Sequence, residues 1–205
     1  MNVIAIDGPA GSGKSTVAKA IAARLGWDYL DTGAMYRSVA WAVLQRHVDP
    51  TDAGAVAKVA KGLTIVVADR VTVDGFDVTS DIRGREVSAV VSVVAAHPPV
   101  RADMVRRQRA WAQARADGGV VEGRDIGSVV FPDAKLKVFL TASEEERIRR
   151  RTVEGGEAVA AEVVRRDRMD ASRSVSPLVA AADAVIVDTT GRTVDEVVDD
   201  VLERL

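Results

Sequence analysis

Gly8-Pro9-Ala10-Gly11-Ser12-Gly13-Lys14-Ser15 is a complete GxxxxGK[ST] pattern, and its setting decides the fold. The apolar run NVIAID precedes it at residues 2–7, and residues 14–25 follow with Ala, Ile and Leu at helical spacing. The predicted unit is therefore strand, phosphate-binding loop, helix. Its glycines let consecutive backbone N–H groups curl around a β-phosphate, and the helix N-terminus adds its positive dipole end. Lys14 bridges phosphate oxygens, and the Ser15 hydroxyl suits Mg2+. A plain glycine turn into a helix needs neither three glycines nor the lysine. The expected ligand is a nucleoside triphosphate, with Gly8, Pro9, Ala10, Gly11, Ser12, Gly13, Lys14, Ser15 and Thr16 around its phosphates.

Downstream, a brief strand is expected at residues 27–30, then DTG and a helix through residue 47. LTIVVA, RVTVDG and FDVT, within residues 63–79, alternate apolar and polar positions around Asp74-Gly75, the mark of a small antiparallel insert. An Arg-rich helix is expected over 100–116, and strands at 120–123 and 137–140. Ser143-Glu144-Glu145-Glu146 then places acids at a helix start. Gly155-Gly156 separate that helix from another reaching about residue 169, before a strand at 185–188 and an amphipathic helix. Strand and helix alternate throughout, so the fold class is α/β. The expectation is a phosphate-loop NTPase core with a parallel sheet and helices on both faces, a small antiparallel β insert and a mobile lid. One domain is expected, with its core at 1–59, 97–146 and 161–205, the insert at about 60–96 and the lid at about 147–160.

Composition narrows the function classes. The 205 residues carry a formal charge of −2, too little basic excess for general nucleic-acid binding. There is no cysteine, which excludes disulfides and thiolate metal sites and suits a cytoplasmic protein. No secretion signal is visible and no apolar run is long enough to cross a membrane, so neither membrane nor nucleic acid is an expected partner, and a monomer is expected. Asn2 is the only asparagine, so the NKxD guanine-reading motif is absent, and an NTP-hydrolysing switch protein loses ground. Of 28 basic residues 22 are Arg and 6 Lys, a skew that fits either codon bias or a need for planar phosphate binders.

Four further clusters carry candidate chemistry. Asp31-Thr32-Gly33-Ala34-Met35-Tyr36-Arg37 surrounds a helix start; it reads as an acceptor-phosphate site with Asp31 near the metal, or as an N-cap by Thr32 with a solvated Arg37. Glu122-Gly123-Arg124-Asp125 follows a strand at the sheet's carboxyl edge, where open α/β folds bind ligands. There Arg124 can clamp phosphate and Asp125 can accept from a base amino group; a turn with a local ion pair is the alternative. Arg166, Asp170 and Arg173 share one helix face, as a phosphate and ribose grip or a solvated ladder. The run Arg147, Arg149, Arg150, Arg151 reads as a solvated face or as a lid that swings arginines onto phosphate. His47 and His97 stand apart from every motif and read as structural.

DGPAGSGKST, LDTGAMYR, SVVAAHPPVR, VVEGRDIGSVVFPDA and SRSVSPLVAAADA together resemble the bacterial cytidylate kinases along essentially the whole chain. The resemblance implies ATP- and Mg2+-dependent phosphorylation of CMP or dCMP. It implies Thr32, Arg37, Ser92, Arg101, Arg124, Asp125, Arg166, Asp170 and Arg173 around the monophosphate, with Ser92, Arg101 and Asp125 at the cytosine and Asp170 at the sugar. Lys14, Arg124, Arg166 and Arg173 are the expected catalytic groups, Arg150 an ATP contact, and Ser15 and Asp31 the expected metal ligands. The other readings are a small phosphate-loop kinase for UMP, AMP or a non-nucleotide acceptor.

Overall fold

The structure is a computed structural model and describes residues 2–155 and 178–205. In chain order its elements begin with β1 (Val3–Asp7), α1 (Lys14–Leu25), β2 (Asp28–Asp31), α2 (Thr32–Gln45) and α3 (Ala53–Gly62). Next come β3 (Ile65–Val67), β4 (Val71–Val73), β5 (Phe76–Asp77), a 3-10 turn at Asp81–Arg83, α4 (Arg85–Ala96) and α5 (Pro98–Gln113). The remainder holds β6 (Gly119–Glu122), a π-helical turn at Ile126–Val130, β7 (Leu136–Thr141), α6 (Glu144–Gly155), β8 (Val185–Asp188) and α7 (Val194–Leu202).

The chain divides into two compact units, one of residues 1–30 and 112–205 and the other of residues 31–111. The first is built on a sheet in the order β2-β6-β1-β7-β8. β1 pairs in parallel with both β6 and β7, setting Ile6 opposite Glu122 on one side and Val138 on the other. All five residues of β1 are buried, which explains its unbroken apolar run. Successive side chains alternate between faces. Ile4 and Ile6 join Val17 and Ile21 of α1 and Val197, Val198 and Val201 of α7 in one core, and Asp7 therefore points to the opposite face. A reciprocal capping box between Thr193 and Glu196 starts α7. The π-helical turn between β6 and β7 has no counterpart in the sequence reading.

In the second unit α2 packs on α3 and α4. The β3-β4-β5 sheet is antiparallel, and its tight hairpin places Asp74 and Gly75 at φ of 52° and 86° between the paired Val73 and Phe76. This unit is wider than the insert expected at 60–96, because α2 buries its apolar face against α4. Two helix boundaries also differ. α5 begins at Pro98 instead of residue 100, since proline is tolerated in a first turn, and it ends at Gln113. α6 continues through Gly155, so residues 147–155 of the expected lid are regular helix. The helix expected to reach residue 169 and residues 156–160 of the lid lie outside the described residues, as do Arg166, Asp170 and Arg173. Among the described residues no helix is long and apolar enough to cross a membrane.

One arginine outside every motif holds the second unit together. Arg107 donates to Asp103 at 2.8 Å and to the carbonyls of Leu63 and Ala60 at 2.8 and 3.0 Å, closing the end of α3. The Asp103 side chain is 7% exposed and keeps Arg106 at 2.6 Å on its other oxygen, so removing Arg107 leaves one carboxylate oxygen and two carbonyls without their donor. Arg107→Ala should therefore lower stability in urea by roughly 1–3 kcal/mol. Arg204→Ala removes only a surface pair with Asp200 and should change it by less than about 0.5 kcal/mol.

Candidate functional site

In the first unit, the phosphate-binding loop leaves β1 at Gly8, which has φ of 147° and no room for a side chain: a Cβ there would sit 2.2 Å from the Leu140 carbonyl oxygen. Gly13 is the N-cap of α1 and offers no side-chain acceptor, which keeps the first N–H groups of the helix available to an anion. Inside the loop, the Pro9 carbonyl accepts from the Lys14 ammonium at 2.7 Å and from the Ser12 hydroxyl at 3.0 Å.

Outside the loop, cations hold its carbonyls. Arg124 donates to the Gly8 carbonyl at 2.7 Å, Arg147 to that of Ala10 at 3.1 Å and Arg150 to that of Gly11 at 3.4 Å. Thr189, just past β8, accepts from Arg150 at 3.0 Å and lies within 3.1 Å of the Ser12 carbonyl. Turning the carbonyls outward leaves N–H groups as the loop's inner lining. Two members of the arginine run thus grip the loop from α6, which departs from the reading of the run as a solvated face. Arg149 is solvated; with Arg150 it pairs Glu146 and holds that carboxyl down at about 2.

Ser15 donates to Glu122 at 3.0 Å, and the Tyr29 hydroxyl donates to the other oxygen of the same buried carboxylate. A hydroxyl beside a carboxylate is a hard-oxygen pair that suits Mg2+, which keeps waters and phosphate oxygens for its other positions. Asp31, the carboxylate expected there, is engaged within the second unit. It accepts from Ala34 N at 2.9 Å as the N-cap of α2 and pairs with Arg83 at 3.5 Å. The cap is thus Asp31, one residue before the expected Thr32.

Beyond Glu122, Asp125 is buried at the start of the π-helical turn. Asp7, 5% exposed, accepts from Ile126 N and Gly127 N at 2.7 Å each. Burial pushes its carboxyl up to about 6 against those two donors, with the Asp125 charge raising it further and Lys14 lowering it.

The second unit carries the other expected residues. Thr32 is buried in the first turn of α2, and Arg37 reaches the Ile82 carbonyl at 2.8 Å and the Ser88 hydroxyl at 3.0 Å. Arg101 is 4% exposed, and its guanidinium lies over the Tyr36 ring, 5.6 Å from the centroid. Ser92 is buried with its hydroxyl lacking a hydrogen-bond partner. Arg37 is therefore built into the unit rather than solvated. His97 bonds the Pro50 carbonyl at 2.8 Å, a structural role. Sequence reasoning missed Asp7, Tyr29 and Thr189, none of which stands in a patterned spacing with its partners.

The sequence model of the cytidylate kinase family matches residues 4–205. The chain is 52% identical to a cytidylate kinase of Desulfitobacterium hafniense, across 97% of this chain and 90% of that one. It is 51% identical to a cytidylate kinase of Mycobacterium avium, across 96% and 92%. A sugar kinase structure from Janibacter aligns over 99% of this chain and 93% of its own with a TM-score of 0.52 at 15% identity, a likeness of fold alone.

Asp7 makes a pH test of this geometry. Unfolded, its carboxyl titrates near the usual value of about 4, and folded near about 6. The folded chain binds the proton more tightly in that window, so Asp7 favours the fold below about pH 4 and loses that contribution as pH rises to about 6. The melting temperature of the natural chain should accordingly fall relative to that of Asp7→Asn between about pH 4 and 6 and stay level above it. A gap that does not change with pH contradicts the buried carboxyl.

Proposed function

The chain belongs to the cytidylate kinase family, and from that premise we propose that it moves the γ-phosphoryl group of ATP to CMP or dCMP, giving ADP and the nucleoside diphosphate. The observation that carries this reading is the loop of residues 8–13, whose carbonyls are clamped outward by Arg124, Arg147 and Arg150. Its N–H groups, the α1 N-terminus and Lys14 take the ATP phosphates, with Lys14 exchanging its bond to the Pro9 carbonyl for phosphate oxygens. Ser15 and Glu122 would hold Mg2+, which supplies charge neutralisation on the transferred phosphoryl group when bound. Arg150 serves ATP by fixing the loop.

The acceptor is already an anionic phosphate oxygen, so no strong general base and no covalent enzyme intermediate are needed. Catalysis is positioning and charge neutralisation by Lys14 and the arginines. Arg37 and Arg124 serve the acceptor phosphate together with Thr32, and the family resemblance adds Arg166 and Arg173 there and Asp170 at the sugar. Cytosine offers an amino donor and ring acceptors, which match Asp125 as acceptor and Ser92 and Arg101 as donors. UMP carries a carbonyl where CMP carries that amino group, so it would set an acceptor against the Asp125 carboxylate.

ADP release from ATP with CMP, dCMP, UMP, AMP, shikimate or no acceptor tests the reaction: CMP and dCMP should stimulate it most. Turnover independent of acceptor would instead indicate an NTP-hydrolysing switch. Lys14→Ala should lower kcat by about a thousandfold or more without changing the melting temperature appreciably. Arg101→Ala and Asp125→Ala should raise KM for CMP about tenfold while KM for ATP stays within about twofold.

A further inference from the structure

Asp7 stands just before the GxxxxGK[ST] pattern, which does not require it, yet both of its carboxylate oxygens are engaged. The two N–H groups that it accepts, from Ile126 and Gly127 at 2.7 Å each, are the first two of the π-helical turn. An aspartate at a helix N-cap ordinarily accepts from the second or third N–H with its own carboxylate. Asp125 occupies the N-cap position here, and its side chain makes no capping hydrogen bond. Asp7 does the capping from the neighbouring strand, 119 residues away in sequence.

Two more contacts frame the same junction. Gly123 N donates to the Ile6 carbonyl at 3.0 Å, and Arg124 donates to the Gly8 carbonyl at 2.7 Å. Residues 123–127 are therefore tied to residues 6–8 at both ends, and Asp7 supplies two of the four bonds. A second buried carboxylate beside Asp125 carries an electrostatic cost that an apolar residue with a locally capped turn would avoid. The cost is intelligible if the capping duty had to be moved off Asp125.

We propose that Asp7 is a positioning residue of the acceptor site: by capping the turn at Ile126–Val130 from β1, it sets the backbone that aims Arg124 and Asp125. The inference rests on the reading of those two as acceptor-site residues. Asp7 acts through backbone and touches no substrate. The charged groups on the elements packed around the end of β1 are Lys14 on α1, Glu122 on β6 with its Ser15 and Tyr29 donors, Arg124 and Asp125, and Lys137 on β7, whose ammonium is tied to Asp183 at 2.8 Å.

Steady-state kinetics of Asp7→Asn and Asp125→Ala test it. Asparagine keeps one acceptor and sets an NH2 group against the other N–H. Asp7→Asn should raise KM for CMP by about tenfold, the scale of one charge-assisted hydrogen bond, with KM for ATP within about twofold. A CMP KM that rises in Asp125→Ala but not in Asp7→Asn overturns this inference alone. No rise in Asp125→Ala overturns the acceptor-site reading and this inference with it. Equal rises for CMP and ATP in Asp7→Asn place the residue with the phosphate loop instead. Should Asp7→Asn fail to fold, the amide shifts of Ile126 and Gly127 in the natural chain give the answer. Both should move together with a midpoint near about pH 6, and amides that stay still or titrate apart overturn the proposal.

Discussion

The parallel pairing of β1 between β6 and β7 is the constraint on which the first unit depends. With Ile6 opposite both Glu122 and Val138, β1 and β6 end within one residue of each other while β7 runs on to Thr141 beside the loop that leaves β1. Gly8 then lies so close to the Leu140 carbonyl that no larger residue fits. Glu122 meets Ser15 across 107 residues of sequence, and Asp7 meets the turn after β6. A slip of two residues in the β1–β6 register would move Glu122 away from Ser15 and Asp7 away from Ile126, while leaving every apolar side chain on its own face. Hydrophobic burial alone therefore does not fix this edge. The polar bonds at the strand ends supply the missing specificity, so the site and the register stabilise each other.

The arginines divide by what their planar donors reach. Arg124, Arg147 and Arg150 hold loop carbonyls, Arg37 joins a carbonyl to a hydroxyl, Arg101 lies on an aromatic ring, and Arg107 closes a helix end. Arg150 bonds Glu146 and the Thr189 hydroxyl and carbonyl as well as the Gly11 carbonyl, a fork that a lysine ammonium on its flexible stem would not reproduce in fixed geometry. Arg70 and Arg204, by contrast, make only exposed or half-exposed pairs whose energetic worth is small. The skew toward arginine thus contains a structural share that neither a nucleotide ligand nor codon usage accounts for.

What sequence could reveal follows from the range of the forces involved. Strand, loop and helix at residues 2–25 were legible because hydrophobic period and glycine placement are local, and Asp74-Gly75 was legible because a two-residue hairpin demands positive φ at both positions. The π-helical turn was not legible. IGSVV follows neither period clearly, and its cap comes from Asp7 on another element. The pairing of Ser15 with Glu122 was hidden for the same reason, and Asp31 looked available only because the cap of α2 was assigned one residue late. The arginine run was ambiguous because helical spacing shows which residues share a face but not what that face meets.

The features that lower the stability of this chain coincide with those that a phosphoryl-transfer site requires. Ser92 buries a hydroxyl without a partner, which costs roughly 1–3 kcal/mol. Asp7 and Asp125 are two buried carboxylates close enough for one to raise the proton affinity of the other. The first helix of the core begins at a glycine with no capping side chain. A chain selected for stability alone would fill each position with an apolar or self-satisfied residue. On the proposed function the Ser92 hydroxyl would be a donor, the Asp125 carboxylate an acceptor and the uncapped helix end an anion site, each held before ligand arrives. Within the first unit, Asp7 caps the turn that follows Asp125 and the carbonyl-binding arginines fix the loop before the helix end, so on that reading part of the reorganisation that binding requires is already met during folding.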